Sequence, residues 1–151
     1  LLGGAERLRL DFEISDIEGG LVEDGNGPDV TLGAAFARPA TIGPDTDLTV
    51  DAAIERLDEP NYLLTQISGD IGLIRYVTPE LTYEAGIGLV TAREETAFRT
   101  RDYTLLTLPL QGTLDRRSDP FDATSGYFLN LQVTPFLGVS GSDSGLRLYA
   151  D

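Results

Sequence analysis

The sequence predicts an all-β fold, an antiparallel up-and-down β-barrel of about eight strands, and three observations predict it. Apolar residues recur at every second position along the whole chain, the period of a strand and not of a helix. Clusters of Gly, Pro, Asn and Asp punctuate the alternating stretches, as at Gly25-Asn26-Gly27-Pro28-Asp29, Ile42-Gly43-Pro44-Asp45 and Ser118-Asp119-Pro120. No stretch of helical period is longer than two turns.

The first segment sets the pattern: Leu8, Leu10, Phe12 and Ile14 alternate with Arg7, Arg9, Asp11 and Glu13. Val30, Leu32, Ala34 and Phe36 form the second apolar face, and Leu48, Val50, Ala52 and Ile54 the third. The fourth holds Leu63, Ile67, Ile71 and Leu73 with Thr65 and Gly69 between them. Leu81, Tyr83, Ala85, Ile87 and Leu89 make the fifth; Leu106, Leu108, Leu110 and Leu114 the sixth. Tyr127, Leu129, Leu131 and Val133 supply the seventh, and Leu146, Leu148 and Ala150 the eighth. The opposite faces carry Arg7, Arg9, Asp11, Glu13, Asp51, Glu55, Asp70, Glu84, Asp115, Arg147 and Asp151. None of the eight apolar faces carries a charge over these spans. Most segments run about 8 to 11 residues, which is enough to cross a bilayer when tilted. Pro109 and Pro135 fall inside or at the end of strands, where a missing N–H belongs at an edge or a bulge.

Composition narrows the chemistry. Cysteine and histidine are absent from the 151 residues, which removes disulfides, thiolate sites, the commonest general base and the usual transition-metal ligand. A formal charge of −14 repels phosphate backbones, so no nucleic-acid partner is expected. No apolar run approaches the roughly 18 to 20 residues of a transmembrane helix, and no signal-peptide pattern is present. The chain opens on Leu1-Leu2-Gly3-Gly4, as an internal segment of a longer protein would.

Alternation alone fits two structures. In a soluble β-sandwich or small soluble barrel the apolar face packs inward. In a transmembrane barrel it faces lipid and the polar face lines a wet lumen. The second reading is favoured by Gly33, Gly72, Gly86 and Gly88 among charges of both signs on the polar face. It is also favoured by small residues on the apolar face (Ala34, Ala52, Gly69, Ala85, Gly112), which lipid tolerates and a dry core penalises. It makes Leu8, Leu10, Phe12, Ile14, Leu48, Val50, Ile54, Ile67, Ile71, Leu106, Leu108, Leu129, Leu131, Leu146 and Leu148 lipid-facing. Arg7, Arg9, Asp11, Glu13, Asp51, Glu55, Asp70, Glu84 and Arg147 then line the lumen. Connectors 18–29 and 92–102 suit the outer side; 38–47, 75–80 and 115–126 fall on the periplasmic side. Tyr62, Tyr76, Tyr83, Tyr103 and Tyr127, near strand ends and connectors, suit an interfacial belt.

Residues 108–127 carry a more specific signal. A strand ends at Asp115, a turn follows with Asp119-Pro120-x-Asp122-x-Thr124-x-Gly126, and the next strand opens on Tyr127. With Arg116, this resembles the strand-turn-strand signature of the bacterial surface-antigen family of outer-membrane assembly factors, the BamA/TamA superfamily. Ala37-Arg38-Pro39 and residues 43–48 look closer to its TamA-like translocation and assembly modules. The resemblance implies the third to tenth strands of a sixteen-stranded barrel in the bacterial outer membrane, without the family's POTRA domains, gate strands or Arg-Gly-Phe lumen loop. It implies a factor that inserts or translocates autotransporters and other outer-membrane proteins, with a passive pore or a two-partner secretion transporter as the alternative. The implied partners are the lipid bilayer, lipopolysaccharide, nascent β-strands and an inner-membrane-anchored protein. In purely physical terms the turn motif reads as structural: Asp side chains bond backbone two residues on, Pro fixes φ, and Gly126 is free to take φ > 0.

No enzyme, cofactor or metal site is expected. Glu94-Glu95 and Asp58-Glu59 read as solvated loop charge and not as acid–base pairs. Residues 18–29 lack the alternating acids of a calcium loop, and Gly3-Gly4 and Gly19-Gly20 open no phosphate cradle.

Overall fold

A computed structural model describes residues 5–15, 27–119 and 124–151. They form one antiparallel sheet of nine strands: β1 (Arg7–Ser15), β2 (Asp29–Gly43), β3 (Thr46–Glu59), β4 (Tyr62–Tyr76), β5 (Leu81–Thr96), β6 (Thr100–Thr107), β7 (Leu110–Asp115), β8 (Phe128–Ser140) and β9 (Gly145–Ala150). Each strand from β1 to β5 pairs with the next in sequence. β6 and β7 are two halves of one line: β6 pairs the C-terminal part of β5, β7 its N-terminal part, and β8 runs along both. Pro109 makes the break, because it has no N–H to donate. Its carbonyl keeps the ladder going, accepting from Gly86 N at 2.9 Å, while Leu108 N donates to the Pro135 carbonyl at 3.0 Å. The eight alternating segments are therefore eight lines of chain, the sixth cut in two.

The sheet is open. β1 and β9 have no neighbour on their outer sides and do not pair with each other, so the described residues form a meander with two free edges. Every residue of both edge strands is exposed.

The strands are longer than the hydrophobic pattern alone marks out. β2 to β5 run 14 to 16 residues. Residues 92–102, expected as a charged connector, are mostly ladder: Arg93, Glu94 and Glu95 pair with Asp102, Arg101 and Thr100, and the connector shrinks to residues 97–99. The same holds for 38–47, where β2 reaches Gly43 through an irregularity between Arg38 and Gly43. There Ala40 takes a positive φ of 53° while its N–H donates to Asp47 Oδ1 at 3.2 Å. Asp58-Glu59 likewise ends a strand. Alternation of hydrophobicity stops before backbone pairing does, because pairing needs only partners.

Turns follow local chemistry. Pro60 fixes one corner of the β3–β4 hairpin, and Asn61 takes the positive φ (65°) that Asn tolerates better than most residues. At β4–β5, Thr78 Oγ1 accepts from Leu81 N at 3.1 Å and donates to Glu80 at 2.8 Å. Connectors 60–61, 97–99 and 141–144 lie at one end of the sheet, the Pro60 end. Residues 44–45, 77–80, 116–119 and 124–127 lie at the other, the Pro44 end. The expected contrast between short turns and long loops is absent from the described connectors; residues 18–26 lie outside the described residues.

There is no second layer. Ala92, 2% exposed, is the sole buried apolar residue among those described, and no large side chain is fully buried. The accessible surface is 10662 Å², against about 7,500 Å² for a compact monomer of this mass. The backbone is crowded on the polar face around Gly72, Gly86 and Gly88. A Cβ at Gly86 would lie 2.9 Å from the Ile71 carbonyl and 3.4 Å from Pro109 Cγ; one at Gly88 would lie 2.6 Å from Thr107 Oγ1.

Gly86→Val should therefore cost roughly 1–3 kcal/mol through overpacking against backbone. Gly69→Ala, on the apolar face with 3.6 Å of clearance to the Asp51 carbonyl, should be close to neutral. Denaturant unfolding followed by far-UV circular dichroism compares the two.

Candidate functional site

Directly paired residues share a face, so the register assigns every strand position to one side of the sheet. One row of the apolar face reads Leu8, Phe36, Val50, Ile71, Ile87; the next reads Leu10, Ala34, Ala52, Gly69, Leu89, Leu106, Leu137. A third reads Phe12, Leu32, Ile54, Ile67. Ile14 pairs with Val30, Leu48 with Leu73, Leu114 with Leu129, Leu131 with Ala150 and Leu148 with Val133; Leu146 stands opposite Pro135. Leu108 follows the same alternation into the break. Many of these side chains are uncovered, with Leu10 70% exposed; of the fifteen positions expected to face lipid only Leu48 and Leu106 are half-buried, and Phe36, Leu73, Leu114 and Val133 in the same rows are half-buried too.

The nine charged positions expected along the lumen fall on the opposite face. Arg9, Ala35, Asp51, Asp70, Gly88 and Thr107 form one row, and Glu13, Thr31, Glu55, Gln66, Ala92 and Tyr103 another. Arg7 begins the row through Ala37, Thr49, Gly72 and Gly86. Asp11 pairs with Gly33, Glu84 with Gln111 and Arg147 with Thr134. Arg9 donates to Asp11 at 2.8 Å along its own strand. No opposed basic residue accompanies Asp51, Asp70 and Glu84 in the β3–β5 pairings. Tyr103 stands on this face and Tyr83 on the apolar one, so the tyrosines form no continuous belt.

The apolar band crosses the strands obliquely. The row from Asp11, midpoint of the β1 run 8–14, passes Gly33, Ala53, Ser68 and Val90 to reach Leu105. The apolar run on the β6–β7 line, 106–114, has its midpoint at Leu110, five residues from Leu105 after five strand-to-strand steps. Between these two end lines the drift averages about one residue per strand, an angle of about 35° at ~3.3 Å rise and ~4.8 Å strand spacing; the runs between shift unevenly, and the run 63–73 is centred on Ser68, in the Asp11 row itself.

Charge resumes on the apolar face beyond the band, a feature the sequence reading missed. At the Pro60 end Arg56 and Arg93 flank Thr65 in one row. Each holds an acid two positions along its strand, Arg56 to Asp58 at 2.9 Å and Arg93 to Glu95 at 2.7 Å. At the Pro44 end Arg75 pairs in register with Thr46 and donates to its Oγ1 at 2.8 Å, and Arg38 lies 3.8 Å from Glu6. On β3, Thr46 and Arg56 bracket the band ten residues apart; at a 35° tilt the interval spans about 27 Å. The alternation of Arg93 with Glu95 and of Arg56 with Asp58 was the available signal.

The turn 115–127 is held by its own polar groups. Asp115 accepts from Arg117 N at 3.1 Å, and Arg117 grips the same carboxylate through Nε at 2.9 Å and Nη2 at 2.7 Å. That fork raises the Arg117 pKa above its usual value. The guanidinium also lies 5.0 Å over the Phe128 ring. Arg116 N donates to the Tyr127 carbonyl at 2.9 Å, and Ser118 Oγ accepts from Thr124 N and Ser125 N at 3.2 Å each. Gly126 has φ 99°, and a Cβ there would collide with the Arg116 carbonyl. Asp119 is exposed; Pro120 and Asp122 lie outside the described residues. Arg117 and Ser118, passed over in the sequence reading, are central to this turn.

Among the described residues no group of acids is placed to hold a metal ion, and no helix is long and apolar enough to cross a membrane. No protein-family model matches the chain, no curated protein is similar to it, and no solved structure matches it.

Gly126→Ala should destabilise the turn by more than about 1 kcal/mol, since φ near 99° is closed to an L side chain. Ser125→Ala, one residue earlier, should change little. Proteolytic nicking within 116–127 compares the two variants.

Proposed function

We propose that this chain is the lipid-embedded wall of a bacterial outer-membrane β-barrel that inserts or translocates other β-barrel and autotransporter proteins, and that it is not an enzyme. One observation carries the reading. The leucine, isoleucine and phenylalanine face is exposed in a single-layer sheet, and its apolar band runs at about 35° to the strands' ladder rows, within the ~35–45° strand tilt of outer-membrane barrels. A band of ~27 Å is close to the ~25 Å apolar height of such barrels. A soluble sheet needs a second layer over its apolar face, and the described residues supply none. Arg56, Arg93 and Arg75 then lie at headgroup level, and Arg7, Arg9, Asp51, Asp70 and Glu84 line water.

The assembly role rests on the resemblance of residues 115–127 to the surface-antigen turn. In hydrocarbon an unpaired strand has no partner for its N–H and C=O groups except another strand, so an exposed ladder edge is what an inserting strand needs.

Two experiments test the parts separately. The chain has no tryptophan, so Ile71→Trp and Ser68→Trp report on the two faces. In vesicles the first should emit blue-shifted and be quenched by brominated acyl chains, the second not; equal quenching would sink the membrane reading. Leu10→Arg, Leu129→Arg or Ile71→Arg at mid-band should each cost roughly 2–4 kcal/mol, against ~0–1 for Arg93→Leu near the interface, measured by urea titration in vesicles. For the assembly role, vesicles holding the protein should fold an added outer-membrane barrel faster than empty vesicles; equal rates would leave a passive barrel.

A further inference from the structure

We propose that the proline break in the sixth line is a seat for one calcium ion, held on the polar face by Glu84, Gln111, Gln132 and Thr134 together with the Leu108 carbonyl. The seat depends on register and local chemistry alone, so it stands apart from the function proposed above.

The backbone comes first. The register runs straight through the break, with Gly86 opposite Pro109 and Leu108 opposite Pro135. In an antiparallel ladder, residues paired by hydrogen bonds exchange two of them, one in each direction. Here each exchange is half made. Gly86 N donates to the Pro109 carbonyl at 2.9 Å, and Leu108 N to the Pro135 carbonyl at 3.0 Å. The return bonds need N–H groups that Pro109 and Pro135 do not have. The Gly86 and Leu108 carbonyls are therefore left without a ladder donor. That of Leu108 points at the Pro135 nitrogen, between Pro109 and Thr134. On the apolar side stand Leu108, Leu110 and Val133, whose side chains donate nothing. Whatever satisfies this oxygen comes from the polar side.

The polar side has a recess there of about 50 Å³, large enough for an ion with a water molecule. Glu84, Gln111, Gln132 and Thr134 line it beside Pro109. Glu84 pairs in register with Gln111, Gln111 pairs with Gln132, and Thr134 follows two residues along the same face. All four are half-buried. Their oxygens are unclaimed. Gln111 directs its amide N–H to Thr113 Oγ1 at 3.5 Å, which leaves its carbonyl oxygen over. Glu84, Gln132 and Thr134 make no side-chain hydrogen bond or ion pair among the described residues. Among those residues no basic side chain lines the recess; Arg147 stands opposite Thr134 on the next strand. A recess rich in acceptors and short of donors is complementary to a cation.

The donor set selects the ion. One carboxylate, two amide carbonyls, a hydroxyl and a backbone carbonyl are hard oxygen ligands of the kind calcium takes, with loose geometry. Magnesium keeps its water and demands an octahedron, and the softer transition metals favour nitrogen or sulfur. A single carboxylate sets the affinity low, at roughly 10⁻⁴–10⁻³ M, the range of the weaker calcium modules. It is also why no group of acids marks the place.

Calorimetric titration of the folded protein, its strand content checked by circular dichroism, tests the seat. It is run at about 0.15 M salt, where loose attraction to the acidic surface is screened. Calcium should bind with a stoichiometry near one, and magnesium about tenfold more weakly. Glu84→Gln should weaken calcium roughly tenfold. Glu55→Gln, the same loss of charge elsewhere on the polar face, should change it less than about twofold. Pro135→Ala is the specific probe, because its N–H restores the return bond to the Leu108 carbonyl; calcium affinity should fall severalfold. No saturable calcium binding, or equal losses in Glu84→Gln and Glu55→Gln, would overturn the site. Unchanged affinity in Pro135→Ala would overturn the part given to the break. The titration is made in detergent micelles; a chain that instead folds in plain buffer is titrated there, so loss of the membrane reading leaves the result legible.

Discussion

The cross-strand backbone ladder is the interaction on which everything else in this molecule rests. With a single layer and almost no buried side chain, the sheet has little hydrophobic core to hold it. The register therefore does two jobs that packing and pairing share in an ordinary domain. It satisfies the backbone polar groups, and it decides which side chains face which solvent. A slip of one residue would turn Leu10, Phe12 and their row neighbours to the charged side and bring Asp51, Asp70 and Glu84 to the apolar one. Strict alternation over so many strands is the sequence-level guard against that slip.

The ladder also tolerates local interruption. Glycines at 72, 86 and 88 clear the polar side where neighbouring strands crowd, and Pro109 interrupts one line beside Gly86. The break leaves β5 gripped by two short strands in succession, yet the rows on either side keep a common register. Proline here removes one donor without shifting the pairing frame.

How far the sequence could be read follows from which of its signals are local. Face assignment was fully legible, because period two is a property of the strand itself; Leu8 to Ile14 and Arg7 to Glu13 needed no tertiary information. Strand ends were not. Arg93 to Glu95 and residues 39–43 read as connector because hydrophobic alternation lapses there, while β5 stays in its ladder and β2 resumes pairing at Gly43 after an irregularity. The statement that the apolar face is free of charge covered only the eight spans, where it holds; the charges beyond them, Arg56, Arg75 and Arg93, were not read as part of that face. The turn at 115–127 was half legible: Asp115 and Gly126 announce themselves by type, but Arg117, held by Asp115 two residues before it, also lies over Phe128, a contact made only once β7 and β8 are paired. The oblique course of the band was invisible without the register, since it is a relation among strands and not a feature of any one.

The rim arginines at the Pro60 end have a consequence for the order in which such a wall is built. Arg56 and Arg93 find their counter-ions two residues along the same strand, not on a neighbour. Each strand thus arrives at an apolar boundary with its outermost cation already neutralised. In the β3–β4 hairpin Arg56 has its counter-ion in place before the flanking strands dock, so this rim contact need not wait for a charge to be matched across the sheet.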